Sequence, residues 1–139
     1  MHEPARISIE QRLEWSDTDA SGHHHHSAML RMAAVAEAEL LERLGLLDAL
    51  HGSLPRVQVT LDLRAPVRFR ARLSVDLAVA QVGRTSIAFS FTIASDGATA
   101  ADGRVVAVRV GRGGRPVRWT SRQRMLLLES GDVTAARPA

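Results

Sequence analysis

Residues 17–27 read Asp17-Thr18-Asp19-Ala20-Ser21-Gly22-His23-His24-His25-His26-Ser27. The run holds two carboxylates, a glycine and four consecutive histidines just ahead of a helix-like stretch. A helix start presents unpaired backbone N–H groups and the positive end of the helix dipole, which polarise a carbonyl or stabilise an oxyanion. Gly22 permits a tight turn and the close approach of a ligand. Asp19 stands a few residues from those donors. A carboxylate base or nucleophile and an oxyanion site can therefore face one carbon, the minimum that acyl transfer needs. The residue types leave a plainer role open. Aspartate and serine ahead of a helix commonly cap it, and either Asp17 or Asp19 has the spacing to do so.

The four histidines lie inside the chain, so a purification tag is not the natural reading. Neighbouring side chains on a helix diverge by about 100°, so only His23 and His26, at i and i+3, could share a face. That is a poor metal site, and no metal is expected; the rings are expected to face solvent or a pocket. With no cysteine in the sequence there is neither a thiolate metal site nor a cysteine nucleophile.

The elements that must position this run follow from periodicity. Ile7, Ile9, Leu13 and Trp15 occupy odd positions between polar residues, the pattern of a half-exposed strand. From Ser27 to Leu44, Met29, Ala33, Ala36, Leu40 and Leu44 recur at helical steps. Leu30, Met32, Val35, Ala38 and Leu41 widen that stripe, so the helix is expected to be largely buried, with Glu37, Glu39, Glu42 and Arg43 at its wet edge. Gly45 is the expected stop. Everything after Leu54 reads β: odd sets at Val57–Leu63, Val67–Val79 and Ile87–Ile93, an even set at Val106–Val110, and a short strand at Val117–Trp119. Gly83, Ser95-Asp96-Gly97 and Gly111 to Gly114 mark turns. Ser121 is the expected cap of a last helix, and the tail from about residue 131 is expected to fray. A strand, one long apolar helix and then strands in succession make an α+β domain, an antiparallel sheet wrapped around the helix. The 139 residues suit one domain spanning 1–139.

Composition narrows the function classes. An apolar share of 45% is too high for a disordered chain. The sequence pI near 11.1 accompanies a net charge of only +3. With no lysine, tyrosine or cysteine, almost nothing titrates between histidine and arginine, so a small positive excess carries the pI into arginine's range. The distribution says more: residues 1–50 sum to −5 and residues 51–139 to +8. A basic second half suits an anionic ligand, whereas 4% aromatics gives little stacking surface for nucleic acid, so no nucleic acid is expected as a partner. No apolar run reaches membrane-spanning length, so no membrane partner is expected. Met1-His2-Glu3-Pro4 lacks the basic and apolar regions of a signal peptide. A cytoplasmic protein is expected.

Trp15-Ser16-Asp17-Thr18-Asp19-Ala20-Ser21-Gly22, followed by His26 and an apolar helix ending at Gly45, resembles the signature of the hot-dog-fold acyl-CoA thioesterases, closest to the 4-hydroxybenzoyl-CoA thioesterase and YbgC-like group. The order of elements agrees from about Ile7 to Trp119. The resemblance implies a hot-dog fold, with Asp19 as catalytic nucleophile or general base. It implies that the His26 backbone N–H polarises the thioester carbonyl and that the His26 side chain can orient water or substrate. Asp17 takes a structural role. Gly22, His23 and His25 fall beside the substrate, and Arg84, Thr85 and Ser86 match the turn that meets coenzyme A in the family. No cofactor is implied beyond coenzyme A as part of the substrate. The partner is an acyl-CoA, in preference to an acyl carrier protein thioester, and the assembly a homodimer or homotetramer with sites at the subunit interface. This chain departs from its relatives at His23 to His25 and at Ser27, Ala28 and Met29, so the acyl group does not carry over. Two other functions fit the same fold. Asp19 and His24 have the spacing of a hydratase or dehydratase pair, although Ala20-Ser21-Gly22-His23 replaces the usual Asn-Pro between them. A non-catalytic CoA-ligand binder is the third.

Overall fold

The computed structural model describes residues 2–135. Five strands, β1 (Arg6–Arg12), β2 (Arg56–Leu63), β3 (Arg72–Val82), β4 (Ser86–Ser95) and β5 (Ala98–Val108), form one antiparallel sheet in the order β1-β3-β4-β5-β2. Helix α1 (His26–Arg43) joins β1 to β2; α2 (Leu47–Leu50) is a single turn, and α3 (Ser121–Glu129) follows β5. The sheet wraps α1, which is the α+β hot-dog arrangement the resemblance implies.

Alternation explains the packing. Leu73, Val75, Leu77 and Val79 of β3 and Ile87, Phe89, Phe91 and Ile93 of β4 are all buried, opposite Met29, Met32, Ala33, Ala36 and Leu40 of α1. Leu77 stands between Ile7 and Phe91 in the register, so a slip of one residue would turn this whole set to solvent. Gly45 adopts φ 72° and its N–H donates to the Glu42 carbonyl, which ends α1 where expected.

Several expectations change. Trp15 does not continue the first strand but lies 68% exposed in a 3-10 turn, Trp15–Asp17. Val67 to Ala71 is loop rather than strand, because the chain turns at Arg70 with φ 71°. The buried residues of β5 are Ala100, Ala101, Val105 and Ala107, and over the strand's second half the buried face is the odd one, opposite the even set at Val106–Val110. Val117–Trp119 forms no strand; Val110 and Pro116 instead close a small hairpin around the 3-10 turn Arg112–Gly114. Thr120, one residue before Ser121, caps α3 by accepting from the Gln123 N–H. Helix α1 is not buried all round, for Val35 and Ala38 are exposed, whereas Glu37 is only 7% exposed and pairs with Arg56 of β2.

The two edges of the sheet differ. The tail does not fray at 131: Arg6 N–H donates to the Gly131 carbonyl, Val133 N–H to the Arg6 carbonyl and Ser8 N–H to Thr134 Oγ1, which covers the β1 edge. Residues 136–139 lie outside the described residues. Edge strand β2 has no such cover. Its Val57, Val59 and Leu63 are 61%, 46% and 49% exposed, and Val59 borders an open apolar cleft with Leu30, Ala33 and Ala34 of α1.

Candidate active site

Leu13, fully buried, fixes the chain after β1: its N–H donates to the Ala71 carbonyl and its carbonyl accepts from Arg70. Asp17 then holds the 3-10 turn. Its carboxylate accepts the Glu14 N–H at 2.9 Å and the Arg31 guanidinium of α1 at 2.9 and 2.6 Å, and the residue is buried. Charge-assisted bonds of this bidentate kind fix direction as well as distance. The chain next folds back on itself. Thr18 bridges His24, Asp19 N–H donates to the His23 carbonyl at 2.9 Å, and His25 N–H donates to the Asp17 carbonyl at 2.6 Å. Gly22, at φ 82°, makes the turn, with its N–H on the Asp19 carbonyl. Asp19 thus sits at the tip of a hairpin whose returning arm runs straight into α1.

Asp19 Oδ1 accepts the Ser21 N–H at 2.8 Å and the Ser21 hydroxyl at 2.5 Å. Those bonds, helped by the nearby His23 and His25 rings, hold its carboxyl below the usual carboxylate value. The group is therefore an ionised carboxylate at neutral pH, and it is exposed to solvent.

The histidines take four different posts. His23 Nδ1 lies 3.1 Å from Ser21 Oγ. His24 Nδ1 accepts the Val67 N–H at 3.0 Å, and the His24 backbone N–H donates to the Val67 carbonyl, tying the hairpin to the loop after β2. Burial pushes its pKa down, and the accepted bond requires a neutral ring with its proton on Nε2. His25 is the N-cap of α1, its Nδ1 accepting the Ser27 N–H at 3.2 Å. Neither aspartate caps α1, so that alternative falls. His26 is the first helical residue and its ring lies 4.2 Å from that of His25. Since His23 precedes the helix, the shared helical face with His26 does not arise. The Ser27 and Ala28 N–H groups are taken by His25, but no acceptor among the described residues meets the His26 N–H.

Beside Asp19 opens a cleft of ≈ 440 Å³ lined by Ser21, Gly22, His23, Arg68 and Phe69. Phe69, which lines it, meets the exposed Trp15 edge to face at 5.3 Å. Arg68 and Phe69 line the cleft and Arg31 clamps Asp17, and none of the three is among the residues expected there from the sequence. Arg31 carried a signal, being a lone cation within an apolar helical run. Phe69 did not, because its odd position imitated a strand.

The chain gathers Asp19, Gly22, His23, His25 and His26 in one hairpin, but it leaves Arg84, Thr85 and Ser86 elsewhere. These three form the β3–β4 turn, and the hairpin adjoins the start of β3 through Arg68 to Ala71. The eleven residues of β3 lie between, which at about 3.3 Å per residue is roughly 35 Å. In the turn, the Thr85 carbonyl accepts from Arg109 N–H and the Arg84 carbonyl from Trp119 N–H.

Among the described residues, no three His, Cys, Asp or Glu side chains converge as metal ligands would, and no helix is long and apolar enough to cross a membrane. No curated protein matches the chain in sequence. Solved structures match its fold. The 1,4-dihydroxy-2-naphthoyl-CoA thioesterase Slr0204 of Synechocystis superposes with TM-score 0.80 at 20% identity, covering 88% of this chain and 95% of its own. A hypothetical protein of Thermus thermophilus, TT1821, gives 0.79 at 25% identity over 87% and 96%. A thioesterase from Thermus thermophilus, in complex with coenzyme A and Zn, gives 0.79 at 21% identity over 87% and 91%. The sequence model of the thioesterase-like superfamily matches residues 13–130, from the buried Leu13 that anchors the hairpin to the end of α3, and the chain belongs to that superfamily.

Proposed function

We propose that the protein is a homodimeric thioesterase that hydrolyses an acyl-CoA to the free acid and CoA. The observation that carries this reading is the hairpin itself, which holds the ionised Asp19 carboxylate at the tip of an arm that runs into a helix whose first N–H is unpaired among the described residues. The His26 N–H polarises the thioester carbonyl and receives the developing oxyanion. Asp19 either attacks the carbonyl carbon, giving an acyl anhydride that water opens, or takes a proton from the attacking water; CoA leaves as its thiolate in both routes. His23, His25 and Gly22 border the acyl group, with the Trp15–Phe69 pair as an apolar wall. The solved structures described as thioesterases, one of them holding coenzyme A, support the same chemistry.

Two features argue for the dimer. Strand β2 keeps an open backbone edge and an uncovered apolar face, and an edge of that kind pairs or aggregates. Pairing β2 antiparallel to its copy about a two-fold axis inverts the second protomer. The turn that holds Arg84, Thr85 and Ser86 in the second copy then comes to the end of the sheet that carries Asp19. Arginine and hydroxyl groups there suit the phosphates of CoA, and the second copy shields a carboxylate that one protomer leaves in water. Hydration of an enoyl-CoA by Asp19 and His24 has less support, since His24 is anchored to Val67 through Nδ1.

The test is thiol release from a panel of short, branched, long and aromatic acyl-CoAs. Asp19→Asn and Asp19→Ala are expected to lower kcat by about 10²-fold or more with unfolding curves unchanged. Wild-type rates in both variants would overturn the assignment.

A further inference from the structure

The histidines differ in the sense of the hydrogen bond that the fold gives each ring. In His24, Nδ1 accepts the Val67 N–H at 3.0 Å, and in His25, Nδ1 accepts the Ser27 N–H at 3.2 Å. A backbone N–H can only donate, so each of these rings, when neutral, carries its proton on Nε2. His26 is held by no ring hydrogen bond among the described residues, only by its contact with the His25 ring. His23 is the reverse case. Its Nδ1 faces a hydroxyl, Ser21 Oγ, at 3.1 Å. A hydroxyl has one proton and two lone pairs, and Ser21 gives its proton to Asp19 Oδ1 at 2.5 Å. The same oxygen accepts the His23 backbone N–H at 3.4 Å. Its remaining lone pair needs a donor, so Nδ1 of His23 carries a hydrogen. The neutral His23 ring therefore keeps its lone pair on Nε2, an atom that no hydrogen bond among the described residues reaches.

An imidazole oriented through Nδ1–H, with Nε2 free, has the form of a general base. The anhydride route of thioester hydrolysis needs one. Both hydrogen bonds to the Asp19 carboxylate fall on Oδ1, from the Ser21 N–H and from its hydroxyl, and none among the described residues reaches Oδ2. Oδ2 is the oxygen left free to attack. Once it is bonded to the acyl carbon, it cannot take the proton of the water that opens the anhydride. His23 lines the same cleft as Ser21, Gly22, Arg68 and Phe69, and a single hydroxyl separates its ring from the Asp19 carboxylate.

From this arrangement we infer that His23 is the general base of the second half of the reaction and that Ser21 positions it. The inference rests on the thioesterase reading and takes Asp19 as the nucleophile. Asp19 Oδ2 bonds the thioester carbonyl carbon, the C–S bond breaks, and CoA leaves as its thiolate. Water then bonds the acyl carbon of the anhydride while His23 Nε2 takes its proton. The C–O bond to Asp19 breaks, which restores the carboxylate and frees the acid. The imidazolium returns its proton to the thiolate, through solvent or directly, so one water is consumed and no charge is left over. Ser21 touches no reacting atom; it fixes the ring through Nδ1 and keeps Oδ1 occupied.

The experiment has two arms. The first reads the tautomer and needs no turnover. Long-range ¹H–¹⁵N correlation at about pH 8, where histidine is ordinarily neutral, should show His23, assigned by its loss in His23→Gln, as the Nδ1–H form. His24 and His25 should show the Nε2–H form, and Ser21→Ala should move His23 toward it. Nε2–H at His23 in the wild-type chain would overturn the inference. The second arm follows thiol release from acyl-CoAs by rapid mixing. In His23→Gln the first equivalent of thiol should appear at the wild-type rate, followed by a steady state slower by about 10²-fold. kcat and KM should fall together, leaving kcat/KM within about threefold. Imidazole added to His23→Ala should speed the slow phase, a response that a merely structural loss would not give. An unchanged steady state, or equal losses in both phases, would overturn the base assignment, while wild-type turnover that depends on Asp19 would keep the thioesterase reading. No thiol release from the wild-type chain would overturn both.

Discussion

The ion pair between Glu37 of α1 and Arg56 of β2 offers a stringent test of how the helix holds the open edge of the sheet. Glu37 is buried, and burial pushes its carboxyl above the usual value, with the Arg56 guanidinium opposing that rise. Arg56→Ala leaves a buried carboxylate alone. Breaking a fully buried pair costs about 3–5 kcal/mol. The Arg56 side chain is 36% exposed, so water already screens part of the interaction and roughly 2 kcal/mol is the expected loss. With about 2.1 cal/mol/K of unfolding entropy per residue, 139 residues convert that loss into a Tm drop of about 7 °C. The pH dependence has a definite sign. A folded-state pKa above the unfolded one stabilises fully below the unfolded pKa and is lost as pH rises through the folded value. Removing the cation lifts the folded pKa further, so the deficit of Arg56→Ala should be smallest in acid and should widen toward neutral pH. Thermal unfolding followed by circular dichroism from about pH 4 to pH 8 reads it directly. Adding Glu37→Gln to the variant should abolish the widening. A deficit that stays constant with pH, or that is largest in acid, would refute the reasoning.

Two further expectations concern the hairpin. Asp17→Ala removes the acceptor of three hydrogen bonds, two of them from Arg31, and should cost about 2–4 kcal/mol in chemical unfolding while lowering kcat more than it raises KM, because Asp19 loses its support. Ser21→Ala removes the largest influence holding the Asp19 carboxyl down. The carboxyl ¹³C titration should move to higher pH, and with Asp19 as the proposed nucleophile or base the acid limb of activity should move with it; an unmoved titration would contradict the assigned bond.

What the sequence disclosed depended on whether an element answers to its own residues or to distant ones. Helix α1 was legible to within a residue at each end, since Met29, Ala33, Ala36 and Leu40 carry the period and Gly45 stops it. Strand β4 was legible for the same reason. Phe69 misled because alternation continues through a loop, and only the positive φ of Arg70 breaks it. Strand β2 is the instructive case. Its alternation is clean, yet Val57, Val59 and Leu63 stay exposed, because alternation reports which side chains share a face and not what packs over that face. Glu37 misled in the other direction: helical position assigned it to water, and a cation nineteen residues on drew it inside. In the hairpin, the tight turn at Gly22 was legible from its residue type, and it adopts φ 82°. The capping role of His25 and the clamp of Arg31 on Asp17 were not, because each is fixed by how the chain folds back at Gly22.

The separation between the hairpin and the Arg84 turn makes the subunit question decidable by mixing. Asp19 and Arg84 lie at opposite ends of β3 in one protomer, so no single chain can hold one substrate between them. If a second copy supplies the turn, an Asp19→Asn chain and an Arg84→Ala chain are each inactive or impaired as homodimers for different reasons. A mixed dimer contains one site that joins the intact Asp19 of the second chain to the intact Arg84 of the first. Random exchange makes half of the dimers mixed, each with one of two sites restored, so activity at low substrate should recover to about a quarter of wild type. Both variants leave β2 untouched, and exchange can be followed independently by native mass spectrometry. No recovery in a sample shown to contain mixed dimers would place both groups in the service of separate sites, and the dimer-spanning reading of CoA recognition would fall.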